Sequence, residues 1–252
     1  CHLIVVNHDN VSVRLNDEII EAEDFIDLLG VHIDNKLTFT QHVTNLCKKG
    51  NQKLHALARI SKLLSNDKLK LIMKTFIESQ FNYCPMVWMF HSRTLNTKIN
   101  KLHERALRVV YKDDDLTFQQ LLERDNSVTI HEKNLQKLAI EMYKVKHNLS
   151  PLPVREIFTQ LDNIQNLRNK GCWEIPKART VNYGIETIRY RGPITWDLLP
   201  SDIKESDSLS SFKANIKKWK RPAVCMSRSP YQQMAISNIR AFRCCLPSLG
   251  DG

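Results

Sequence analysis

The stretch RVVYKDDDLTF, Arg108 to Phe118, decides the fold class, because it admits two incompatible structures. Tyr111-Lys112-Asp113-Asp114 spells a paired-aspartate box of the kind that holds divalent cations on a tight turn between two apolar strands. The residues before it point elsewhere. Leu95, Ile99, Leu102, Ala106 and Val109 recur at spacings of four and three, the period of one helical face, and that stripe runs straight into Val109 and Val110. After it, Thr117-x-x-Gln120 fits a capping box that opens a helix. The stretch therefore reads as a solvated acidic loop between two helices, and Asp113, Asp114 and Asp115 as a weak cation attractor at most. The catalytic set and the metal ligands both read as none.

Working upstream, the helical period extends over Leu69, Ile72, Met73, Phe76 and Ile77, entered through Ser65-Asn66 and ending before Pro85. Before that, Val43, Leu46, Gly50, Leu54, Leu57, Ile60 and Leu64 form another apolar stripe, with Lys48, Lys49, Lys53, Arg59 and Lys62 largely off it. From Lys36 back to Cys1 the period changes to two. CHLIVV, VSVRL, EII and FIDLLGVHID, separated by Asn7-His8-Asp9-Asn10 and Asn16-Asp17, read as short antiparallel strands, with Gly30 marking a bulge or a close backbone approach.

Downstream, Thr129-x-x-Glu132 forms a second capping box before Leu135, Leu138, Met142 and Val145, and Asn148 to Pro153 closes that helix as a loop. GIETIRYR, Gly184 to Arg191, reads as a strand, and a last helix runs from about Ser208 through Phe212, Ile216 and Trp219. The predicted fold is mainly α, a helical bundle with a small N-terminal antiparallel β element, α+β overall.

The charge is informative once divided along the chain. Residues 1–46 carry a net of −6, residues 47–112 a net of +11, residues 113–211 a net of −2 and residues 212–252 a net of +7, within a total of +10. A basic block of that density suits a polyanion such as nucleic acid, whereas a lysine-rich solvated face is the bland alternative. Seven cysteines, odd in number and irregularly spaced, fit reduced thiols and offer no zinc spacing. CPMVWMF, the longest apolar run, is far short of the roughly 18–20 residues that span a bilayer. These features predict an intracellular chain, nuclear or cytoplasmic, with no membrane partner and no assigned oligomeric state. His103-Glu104 lacks the second histidine of a zinc-protease helix, and His103 reads as a polar flank of the packed face. Trp88, Trp196 and Trp219 sit among apolar neighbours and read as core anchors rather than base-stacking platforms.

LLGVHIDNKLTFTQHV, CKKGNQKLHALARI, FIESQFNYCPMVWMFHSRTLNTKINKLHERALRVVY, SVTIHEKNLQKLAIEMYKVKHNLSP and YRGPITWDLLPSDIKESDSLSSFKANIKKW follow one another in order. Together they resemble the C-terminal part of non-LTR (LINE-type, jockey-like) retrotransposon reverse transcriptases, over about residues 1–219. The resemblance implies four regions. Residues 1–35 are a remnant of palm β-strands, with Leu29-Gly30-Val31 the structural box where palm passes into thumb. Residues 36–112 are a basic helical thumb-like region, 113–220 a C-terminal helical and mixed region, and 221–252 an unmatched, disordered tail. The family polymerises DNA on RNA with Mg, and its metal-binding aspartates lie upstream of the Leu-Gly-Val box. Asp113 and Asp114 fall on the wrong side of it, so the resemblance implies a truncated polymerase without a cofactor and without activity. What it leaves is sequence-independent binding of RNA, DNA or a hybrid through Lys48, Lys49, Lys53, Arg59 and Lys62. The competing expectation is a domesticated or decayed helical module that binds a protein and has no nucleic-acid role.

Overall fold

A computed structural model describes residues 2–6, 11–90, 92–161 and 173–219. The expected turn at Asn7 to Asn10 and the expected tail 221–252 lie outside the described residues. The fold is mainly α with a small antiparallel β element at its start.

The N-terminal alternation forms two separate antiparallel hairpins. In the first, β1 (Ser12–Leu15) pairs with β2 (Glu18–Glu21) around Asn16, which takes a positive φ of 56°. In the second, β3 (Phe25–Leu28) pairs with β4 (Val31–Asp34), Leu28 opposite Val31. The run FIDLLGVHID is thus folded back on itself, and Gly30, expected at a bulge or a close backbone approach, stands in a two-residue turn instead. Leu29 and Gly30 both have positive φ, 49° and 82°, the signature of the type I′ turn whose twist matches the strands. Glycine takes that position freely; leucine does not. Replacing Leu29 by Asn, which tolerates the left-handed region, should therefore stabilise the chain by about 1 kcal/mol, read as a raised urea midpoint.

Asp34 joins the second hairpin to the first long helix. Its carboxylate accepts hydrogen bonds from the backbone N–H of Lys36, Thr38 and Phe39, at 3.2, 3.0 and 2.7 Å, and from the Thr38 hydroxyl. A carboxylate just before a helix also meets the positive end of its dipole. Helix α1 (Thr40–Ile60) follows, burying His42, Val43, Cys47, Gly50, Leu54 and Leu57. Cys47 takes the core position expected of Leu46. Val31 is buried, and the His32 N–H donates to Nδ1 of His42 at 3.2 Å, so the hairpin is part of the helical body.

After a 3-10 turn at Ser61–Leu63 comes α2 (Asn66–Ile72), which continues as a π turn over Met73–Ile77 and a 3-10 turn over Glu78–Phe81. A short α3 (Pro85–Trp88) has Pro85 at its first turn, where a missing N–H costs nothing. Helix α4 (Arg93–Tyr111) crosses α1 where Gly50 faces Leu102. A Cβ built on Gly50 would lie 2.5 Å from Leu102 Cδ2, so any larger residue there would require the Leu102 side chain to shift. α5 (Phe118–Asp125) and α6 (Ile130–Lys146) both begin with the capping boxes legible in the sequence. The remaining helices are α7 (Leu152–Arg155), α8 (Ile188–Asp197), α9 (Ser201–Lys204) and α10 (Leu209–Lys218).

GIETIRYR is not a strand: it spans the end of a π turn at Val181–Ile185 and the start of α8. Only its last four residues are α-helical, Ile188 and Tyr190 half-buried, Arg189 exposed and Arg191 buried, and one turn is too short to show a helical period against that alternation.

Two cores are present. The first gathers Val43, Leu54, Leu69, Met73, Phe81, Trp88, Leu102 and Val110, and takes in Leu121, Leu122 and Ile130. The second gathers Met142, Tyr143, Phe158, Trp173, Trp196, Phe212 and Ile216. The packing division therefore lies inside α6. No helix among the described residues is long and apolar enough to cross a membrane.

Candidate nucleic-acid interface

Between Lys36 and Asn66 the chain contains six cations and no carboxylate. Most of that segment is α1, 21 residues or about 31 Å of helix. Lys48, Lys49, Arg59 and Lys62 are exposed, while Lys53 is half-buried at the edge of the packed stripe. None of the five forms an ion pair among the described residues. Elsewhere the cations Lys70 and Arg108 are engaged by carboxylates, Asp125 and Glu104 respectively.

Lys62 lies in the 3-10 turn after α1, and helical geometry separates the other four. Lys48 and Arg59 are eleven residues apart, close to three whole turns, so they stand on one line of α1. Lys49 and Lys53 lie one turn apart on the opposite flank, roughly 100–140° further round.

The structure adds residues that the spacing along α1 did not single out. Lys98, Lys101 and Arg105 recur at three and four on α4, all exposed, so they form one stripe. Arg105 donates to the Asn51 side chain of α1 at 3.0 Å, which places this stripe beside the Lys48–Arg59 line. Lys98 is near enough to Cys47 for its charge to favour the thiolate, but burial dominates and pushes that thiol up to about 11. α1 and α4 meet here where Gly50 faces Leu102, and a glycine within the apolar stripe of α1 is the one trace of that approach in the sequence.

The acidic box is a structural joint. Lys112 closes α4 in the left-handed conformation, and the Asp113 carboxylate accepts from the N–H of Asp115 and Leu116 at 3.2 and 3.3 Å. Asp113 also pairs with Arg124 at 3.1 Å, and Arg124 lies over the Tyr111 ring, 5.0 Å from its centroid. The Tyr111 hydroxyl donates to buried Asp125 at 2.8 Å, and Lys70 pairs with the same carboxylate at 2.7 Å. Burial alone would raise Asp125, but hydrogen bonds from Lys70 and Tyr111 hold it below the usual carboxylate range. Asp113 and Asp114 thus sit at a helix end, Asp113 spent on backbone and arginine. No group of three metal-capable side chains occurs among the described residues.

Leu29-Gly30-Val31 is a hairpin corner. Leu29 is exposed, its carbonyl accepts from the Tyr83 hydroxyl at 2.7 Å, and Val31 is buried against α1. His103 is not a polar flank: it is buried, edge-on to Phe118, with Nε2 3.5 Å from Glu78. Trp88, Trp173, Trp196 and Trp219 are all buried, and the Trp88 N–H donates to the Tyr83 carbonyl. The basic seam of α1 and α4 therefore carries no tryptophan on which a base could stack.

Comparison of the chain with family models, with curated proteins and with solved structures finds no match to any of them.

Proposed function

We propose that the chain is the thumb and C-terminal region of a non-LTR retrotransposon reverse transcriptase, and that its α1–α4 seam binds nucleic acid without regard to sequence. The observation that carries this reading is the seam itself: Lys48 and Arg59 beside Lys98, Lys101 and Arg105, with no carboxylate from Lys36 to Asn66. Cations without acidic partners exchange counterions for phosphates at little cost, and a backbone is what a row of them fits. The absence of exposed tryptophan favours a duplex, RNA, DNA or hybrid, over a single strand held by stacking. The resemblance supplies the family; the charge geometry supports only the binding.

If about four cations neutralise phosphates, log affinity should fall with log salt at a slope of roughly −3 to −4 on a duplex. Replacing Lys48, Lys98 and Lys101 by Ala should weaken all sequences alike and flatten that slope by up to about three units. Replacing Lys49 and Lys53, on the other flank, should do less. A salt-independent affinity, or one indifferent to both sets, would transfer the function to protein binding.

A further inference from the structure

In a regular helix Phe76 stands seven residues after Leu69, on the same face, and would be buried with it. The π turn at Met73–Ile77 inserts an extra residue and shifts the inward spacing to four. Leu69, Met73, Ile77 and Phe81 point inward, at 0, 0, 2 and 1 % exposure, and Phe76 is turned out to 57 %. Leu71, five residues earlier, is exposed at 63 %. Around these two lie Lys68 and Lys74, exposed and without an ion pair among the described residues, whereas Lys70 on the inner side is engaged by Asp125. The face thus alternates cations with large apolar side chains, and its only carboxylate is Asp67 in the first turn.

We infer that the outer face of α2 and its π turn docks an acidic amphipathic helix of another protein. Leu71 and Phe76 are the apolar anchors, and Lys68 and Lys74 pair with carboxylates at the rim, the usual helix-on-groove division of labour. Charge complementarity selects the partner: lysines flanking an apolar centre reject a basic helix and favour an acidic one. A phosphate backbone would satisfy the lysines and leave Leu71 and Phe76 in water. This face shares no residue with the α1–α4 seam and stands on its own observation.

The test uses a fluorescent synthetic helix of roughly five turns, leucine on one face and glutamate elsewhere, titrated into the full chain and read by anisotropy. Saturable binding is expected, weakened at least about tenfold by Phe76→Ser or Leu71→Ser. The pair Lys68→Glu with Lys74→Glu should abolish it and admit the same helix carrying lysine in place of glutamate. Phe76→Ser should leave both Tm and the duplex salt slope unchanged, which separates docking from folding and from nucleic-acid binding. The inference is overturned by absence of binding, by binding indifferent to these variants, or by their weakening duplex RNA or phosphatidylserine vesicles instead.

Discussion

Replacing Glu78 by Ala is expected to destabilise the chain by about 3–5 kcal/mol, the loss seen when one partner of a buried charge pair is removed. Glu78 is 8 % exposed in the 3-10 turn after α2, and Lys133 of α6 donates to its Oε2 at 2.6 Å. His103 of α4 lies with Nε2 3.5 Å from Oε1. Burial alone would raise this carboxyl, but His103 and Lys133 outweigh it and hold Glu78 down to about 2. A carboxylate held below its unfolded value contributes stability that is fully present above that value, 4.5, and is lost as pH falls towards about 2. The stake over that window is about 3 kcal/mol. Denaturant midpoints measured from pH 6 to pH 2 should fall steeply for the natural chain and more gently for Glu78→Gln, starting from a lower midpoint. Asp125, also held low, supplies the remaining slope. An unchanged slope in Glu78→Gln would show that the Glu78 carboxylate is not held low by the fold.

Trp196→Ala is the second large effect, expected to cost about 3–5 kcal/mol through the cavity it leaves. Trp196 is fully buried in the second core, nearly parallel to Phe212 at 6.1 Å and 15°, and Phe212 in turn stacks on Tyr143 at 4.4 Å. Lys146 at the end of α6 places its ammonium 5.3 Å from the indole centroid, adding a cation–π contact that alanine cannot make. Thermal unfolding followed by circular dichroism should show the loss, and Trp196→Phe should recover much of it. A Tm unmoved by Trp196→Ala would count against this stack as the centre of the second core.

Where one face of a helix meets water and the other meets a core, the period was legible. α1, α4 and α6 show this, and so do the two Thr caps, because a capping box is local chemistry written in four residues. Phe76 was misplaced because a π turn leaves the residue types unchanged and alters only the pitch, which composition does not encode. His103 was misread for a related reason: a polar residue on a helix looks solvated until the distant Glu78 that it is buried against is known. The seam shows both sides. Lys48 and Arg59 followed from α1 alone, whereas Lys98, Lys101 and Arg105 joined them only through tertiary packing at Gly50 and Leu102. Leu29-Gly30-Val31 hid a turn because leucine at its first position is an unusual choice for a left-handed backbone.

Helix α6 gives Ile130 to the first core and Ala139, Met142, Tyr143 and Val145 to the second. Two hydrophobic interiors strung on one continuous helix are coupled through its backbone, since loss of either core leaves its stretch of α6 without the packing that holds it helical. The unit Cys1–Trp219 is therefore expected to unfold in a single cooperative transition in spite of its two interiors, with a common midpoint for probes placed in either.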